Sequence, residues 1–240
     1  MKLTATLILL LSIMACEKSS TNGMSKTDTT PITIPAGGQS YLALGDSYTI
    51  GEAVAQSSCF PYQLAAALNS EGIKVGSPKI IAKTGWTTNE LQDAIKAEAL
   101  NSKFDIVTLL IGVNNQYRGN SIDTYRTEFK ELLQTAINFA GGNKARVFVV
   151  SIPDWGATPF GKQSGRGVQA IAKEIDAFNA VNKEETLKAG ISYSDITPGS
   201  RNAATDNSLV ASDGLHPSGL MYRDWVTLLA PSVFKALAVK

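Results

Sequence analysis

Four short apolar runs, each ending at a turn that carries glycine or proline, and a weaker fifth constrain this chain more than anything else in its 240 residues. They fall at 41–44, ending at Gly45-Asp46; at 80–82, ending at Thr84-Gly85; at 104–111, ending at Gly112; at 147–152, ending at Pro153; and at 191–193. Residues 104–111 are apolar except for Asp105 and Thr108. Strands this continuously apolar are buried on both faces, as in parallel sheets. Helical periodicity fills the gaps. Residues 61–71 carry Leu64, Ala65 and Leu68, and Thr87-Thr88-Asn89-Glu90 offers a capping box ahead of Leu91, Ala94 and Ile95. Residues 123–140 and 168–188 each present an apolar stripe at helical spacing. Pro217 is expected to open the last helix and Pro231 to interrupt it. Five strands alternating with helices predict a three-layer α/β fold with about five parallel strands in one domain. Ligands of such folds bind beyond the carboxyl ends of the strands.

That domain is expected over 40–240, because the first 39 residues read differently. Met1-Lys2 is a short positive start, and residues 3–15 are apolar apart from Thr4, Thr6 and Ser12. A membrane-spanning helix needs about 20 apolar residues, so this run is too short to span and matches the core of a secretory signal. Its end, Ile13-Met14-Ala15-Cys16, resembles a bacterial lipobox, in which the cysteine becomes the lipidated first residue. An ordinary signal peptide cut near Ala15 is the alternative. Residues 16–39, rich in Ser, Thr, Gly and Pro, read as a flexible tether. Residues 1–15 are thus expected to be a lipoprotein signal peptide. The protein is expected to cross the bacterial inner membrane and stay at the cell envelope through a lipid anchor on Cys16.

Charge and cysteine content exclude several functions. Lys and Arg total 22 against 21 Asp and Glu, and loss of Lys2 with the leader leaves 21 against 21. A balanced chain without a basic stripe argues against nucleic acid as a partner. The only cysteines are Cys16 and Cys59, which leaves no disulfide within the domain. With a single histidine as well, zinc sites of four cysteines, or of two cysteines and two histidines, cannot be built.

That one histidine organises the candidate chemistry. Gly45-Asp46-Ser47-Tyr48 follows the first strand, which puts Ser47 at the sheet edge facing the crevice. Position 49 is Thr, so the G-x-S-x-G elbow is absent. A serine after a Gly-Asp turn serves equally as a helix cap. Asp213-Gly214-Leu215-His216-Pro217 favours chemistry. A serine hydroxyl needs a base, and imidazole is the side chain suited to that near neutral pH. Asp213, three residues earlier, can orient the ring. Gly85 and Asn114, each following a strand, can offer a backbone N–H and a side-chain amide to an oxyanion, although both also suit plain turns.

These blocks, with Thr84-Gly85-Trp86 and Gly112-Val113-Asn114-Asn115, resemble the SGNH subgroup of GDSL hydrolases from about Tyr41 to the last helix. The resemblance implies a flavodoxin-like sheet, with Ser47 as nucleophile and, through its own N–H, first oxyanion donor. Gly85 and Asn114 would be the other donors, His216 the general base and Asp213 its partner. No metal or other cofactor is implied. Two departures stand out: Tyr48 replaces the usual Leu, and Asn115 replaces the Asp common after the block-three Asn. Neither position carries a catalytic role in the resemblance, so both bear on substrate shape more than on chemistry.

The expected function is hydrolysis of small carboxylic esters through an acyl-enzyme, with lysophospholipids or acetylated glycans as the next candidate substrates. The alternatives are a carbohydrate O-deacetylase of the same fold and a non-catalytic surface lipoprotein that binds a ligand or glycan. Tyr48, Trp86, Trp155 and Phe160 are the candidate substrate-binding aromatics. Trp155 and Phe160 can instead simply cover the sheet edge.

Overall fold

A computed structural model describes residues 38–238. The signal-peptide and lipidation expectations for residues 1–15 and Cys16, and most of the tether, lie outside these residues. Among the described residues no helix is long and apolar enough to cross a membrane.

The five apolar runs form one parallel sheet: β1 (Tyr41–Gly45), β2 (Lys79–Ala82), β3 (Ile106–Leu110), β4 (Val147–Val150) and β5 (Ser192–Ser194). The spatial order is β2-β1-β3-β4-β5, the flavodoxin-like arrangement. Every residue of β1, β3 and β4 is buried, whereas the edge strands β2 and β5 are partly exposed. The two polar residues of the third run have partners. Thr108 hydrogen-bonds Tyr41 Oη across the β1–β3 pair at 3.0 Å. Asp105 accepts from the Ser40 amide and hydroxyl at 2.9 and 2.8 Å, tying the strand entrances together.

The helices are α1 (Ser47–Ile50), α2 (Phe60–Ser70), α3 (Thr88–Glu98), α4 (Val113–Tyr117), α5 (Ile122–Phe139), α6 (Pro159–Gln163), α7 (Val168–Lys188), α8 (Thr197–Ser200) and α9 (Gly219–Ala238). One layer joins α2 to α9, and the other runs from α3 through α5 to α7. The helical stripe of α9 carries Tyr222 and Trp225 onto Phe60 of α2, with ring centroids 6.5 and 6.4 Å away. Full burial of an apolar ring such as Phe60 stabilises the layer by about 1.5–3 kcal/mol. Glu90 accepts the Thr87 amide at 2.8 Å, as the capping-box pattern requires.

Both proline expectations for the last helix are corrected. Pro217 is buried in an isolated antiparallel bridge with Val210. The helix begins two residues later, where Ser218 Oγ accepts from the Met221 amide at 3.4 Å. Pro231 lies inside an unbroken helix. It sits on the exposed face, as does Thr227 one turn earlier, whose carbonyl loses the proline N–H and can turn to water.

Two glycines let the chain turn tightly at the carboxyl edge of the sheet. A Cβ on Gly45 would lie 2.1 Å from Thr49 Oγ1 and 2.4 Å from the Leu110 carbonyl oxygen, so only glycine lets α1 fold back against β3. Gly112 has φ of +127°, and a Cβ there would lie 2.6 Å from Tyr125 Oη.

Candidate active site

In this strand order the connections from β1 and β3 leave in opposite directions, which opens a crevice at the carboxyl ends of the two strands. The β1 exit carries Ser47 and the β3 exit carries Asn114. Ser47, Gly85, Asn114 and His216 all line one open cleft of about 230 Å³ there, with Tyr48, Trp155 and Phe160.

Ser47 is the first residue of α1. Asp46 caps that helix, its Oδ1 accepting the Tyr48 amide at 3.0 Å. The first amide of a helix has no acceptor inside it. Among the described residues the Ser47 and Gly85 amides make no hydrogen bond within the protein, and neither does the Ser47 hydroxyl. Gly85 holds φ of +86°. Asn114 donates through Nδ2 to the Trp86 carbonyl at 2.9 Å, which fixes the amide in place and leaves its second hydrogen free. Arg118 donates to the Gly85 carbonyl and to Glu90. The β2 and β3 exits are therefore tied together twice.

His216 comes from the other end of the chain. The loop that holds it is braced by Ala211 N–H donating to the His216 carbonyl at 2.7 Å and Ser218 N–H donating to the Leu209 carbonyl at 2.9 Å. Asp213 Oδ2 lies 2.5 Å from His216 Nδ1, and its Oδ1 accepts the Leu215 and His216 amides at 2.9 and 3.0 Å. Partial burial pushes the Asp213 carboxyl up, but the His216 ring and these two amides outweigh it and hold the group below its ordinary range. A carboxylate on Nδ1 fixes the tautomer whose Nε2 can accept a proton. The ring is buried and meets Tyr48 edge-on, centroids 5.6 Å apart. Ser47 and His216 face the same cleft without a direct hydrogen bond. Such bonds are often long before substrate arrives.

The aromatic expectations divide. Tyr48, Trp155 and Phe160 line the cleft. Tyr48 and Trp155 are buried, while Phe160 is 40% exposed at the rim, its amide donating to the Gly214 carbonyl in the histidine loop at 2.9 Å. Trp86 does not line the cleft. Its ring packs against the core, and only its carbonyl serves the site, as the acceptor for Asn114. Tyr117 and Leu215 line the cleft but were not among the expected residues. Tyr117 is three residues beyond Asn114, so one helical turn brings both to the same face.

Asn115 is fully buried and lines no part of the cleft. Its Oδ1 accepts the Thr88 amide at 3.0 Å, and its Nδ2 donates to Thr88 Oγ1 at 2.6 Å and towards Glu128 at 3.5 Å. An aspartate here would set a second carboxylate beside Glu128, so the amide suits this chain. Asn115→Ala strands the buried Thr88 amide. It should lower unfolding free energy in urea by about 1–3 kcal/mol, and an unchanged midpoint would count against this clamp.

A model of the GDSL-like lipase/acylhydrolase family matches residues 43–223. The fold is similar to those of many solved structures, three of which illustrate the match at low sequence identity. A lipase/acylhydrolase from Enterococcus faecalis is 20% identical with a TM-score of 0.63, the match covering 81% of this chain and 95% of that one. The psychrotrophic esterase EstA from a Pseudoalteromonas species, solved with monoethylphosphonate inhibition, is 16% identical with a TM-score of 0.62, covering 83% and 98%. Axe2, an acetylxylan esterase from Geobacillus stearothermophilus, is 17% identical with a TM-score of 0.57, covering 85% and 95%. A comparison with curated proteins found no match.

Proposed function

The chain belongs to the GDSL-like lipase/acylhydrolase family, and from that premise we propose that it hydrolyses small carboxylic esters through an acyl-enzyme on Ser47. The observation that carries this reading is the convergence on one cleft of a serine from the β1 exit, two oxyanion donors from the β2 and β3 exits, and a histidine oriented by Asp213.

In this mechanism substrate brings the Ser47 hydroxyl into line with His216 Nε2. The ring takes the proton as Oγ attacks the ester carbonyl carbon. The carbonyl electron pair moves onto oxygen, where the Ser47 and Gly85 amides and the free Asn114 Nδ2 hydrogen receive it. Asp213 stabilises the imidazolium. The C–O bond to the alcohol breaks as His216 returns the proton to the leaving oxygen. Water, deprotonated by His216, then releases the acid by the same route.

A short acyl group suits the cleft better than a long one, because the volume lined by Tyr48, Trp155 and Leu215 is only about 230 Å³. A second reading, removal of acetyl groups from a carbohydrate, draws on Tyr117 and Phe160, exposed by 49% and 40% at the mouth, where a sugar ring can stack. Export and lipid anchoring through Cys16 remain part of the proposal on sequence grounds.

A serine-directed fluorophosphonate tests the class. It should leave one covalent adduct, on the peptide containing Ser47, and block hydrolysis of p-nitrophenyl acetate. A protein that takes no label and turns over neither p-nitrophenyl esters nor acetylated sugars would instead be a binding module. Initial rates on both panels separate the two substrate readings.

A further inference from the structure

The loop between α6 and α7 reaches the wall of the cleft through one side chain. Arg166, flanked by Gly165 and Gly167 at φ of +75° and +83°, donates from Nη1 to the Tyr117 carbonyl at 3.0 Å and from Nη2 to Glu174 at 2.7 Å. Its guanidinium carbon lies 5.7 Å from the Tyr117 ring centroid and 5.5 Å from that of Trp155. The circuit closes from behind. Glu174 also accepts from Gln116 Nε2, and Gln116 Oε1 accepts from Trp155 Nε1 at 2.8 Å. Gln116 and Trp155 are buried, and the Tyr117 and Trp155 rings meet edge-on at 5.4 Å.

We infer that Arg166 is a specificity-determining positioning residue that sets the width of the acyl cleft by clamping Tyr117 against Trp155. This rests on the reading of the cleft as an ester site. The cation touches no part of the reacting centre. It acts on two rings that do line the cleft, one of them on α4, a helix of only five residues that needs outside support. The planar fork suits the task, because it bonds a carbonyl and a carboxylate together while its face lies over aromatic rings. Gly165 and Gly167 supply the left-handed backbone that lets so short a loop present the side chain inward.

The test compares wild type with Arg166→Ala, Arg166→Lys and Glu174→Gln on p-nitrophenyl acetate and octanoate. Release of Tyr117 widens the cleft. The ratio of kcat/KM for octanoate over acetate should therefore rise about 10-fold in Arg166→Ala, the size of effect expected for a lost cation–ring clamp with its hydrogen bonds. The change should be carried by KM for octanoate. Arg166→Lys keeps the charge but not the fork and should fall between, and Glu174→Gln should move the ratio in the same direction. A second measurement does not depend on turnover: exchange of the Trp155 indole N–H, followed by NMR, should speed up about 10-fold in Arg166→Ala. A ratio within twofold of wild type, or unchanged indole protection in a folded variant, would overturn the inference. If wild type hydrolyses no ester, the Ser47 reading fails, and the indole exchange still decides whether Arg166 holds the wall.

Discussion

Ser47→Ala should lower kcat/KM for p-nitrophenyl acetate by at least about 10⁴-fold and leave folding stability within about 0.5 kcal/mol of wild type. The two halves of that expectation come from different observations. Among the described residues the Ser47 hydroxyl accepts and donates no hydrogen bond, so its removal strands no buried partner. The helix cap is supplied by Asp46, not by Ser47, and stays in place. All of the predicted loss is therefore chemical. The oxyanion donors survive the substitution, since the residue-47 amide and those of Gly85 and Asn114 do not involve the hydroxyl. Residual catalysis about 10³- to 10⁴-fold above water can remain. His216→Ala should cost a similar factor, and the double variant little more than either alone, because the two groups act in one step. Turnover within about 10-fold of wild type in a folded Ser47→Ala protein would remove the acyl-enzyme from consideration.

The elements that the sequence made legible are those with a strong local pattern. β1, β3 and β4 are buried on both faces, so their apolar runs are nearly continuous and their positions could be read directly. The ends were harder. The run at 104–111 extends beyond the strand because Phe104 donates its amide to the Phe139 carbonyl at 2.8 Å instead of to a neighbouring strand. Pro217 suggested a helix start because proline is favoured there, but the bridge to Val210 had already claimed it. Strand exits brought Ser47, Gly85 and Asn114 to one cleft, as topology requires of a parallel sheet. The aromatic wall was less legible. Trp86 sits next to Gly85 in sequence and faces the core, whereas Tyr117 reaches the cleft only through the turn of α4. The structural role of Asn115 was not legible while its partners, Thr88 and Glu128, were unknown. Adjacency along the chain cannot say which side of a turn a side chain takes; helical spacing after Asn114 could have pointed to Tyr117.

Asp46→Asn should gain stability relative to wild type as pH rises. Asp46 is fully buried; its Oδ1 accepts the Tyr48 amide, but its Oδ2 has no hydrogen-bond partner. Burial pushes its pKa from the ordinary 3.8 up to about 7, against the opposing pull of the backbone amides. The sign follows from proton counting. Between about pH 4 and pH 7 the folded state keeps a proton that the unfolded state has released, so unfolding free energy falls as pH rises through that window. Below pH 4 both states are protonated and Asp46 costs little. Above pH 7 the full cost, about 4 kcal/mol, is in place. Asparagine keeps the acceptor for the Tyr48 amide and never ionises. The stability gap between Asp46→Asn and wild type should therefore widen by about 2–3 kcal/mol from pH 5 to pH 8, measured by urea unfolding at both. Taking the difference between the two proteins cancels the titration of every other group, Asp213 included, because both proteins retain them. A gap that stays constant across that range would mean that the carboxylate is stabilised by something other than the Tyr48 amide. A gap that narrows would reverse the sign of the burial cost, and with it the conclusion that a neutral acid stands next to the nucleophile at the mildly acidic end of the range.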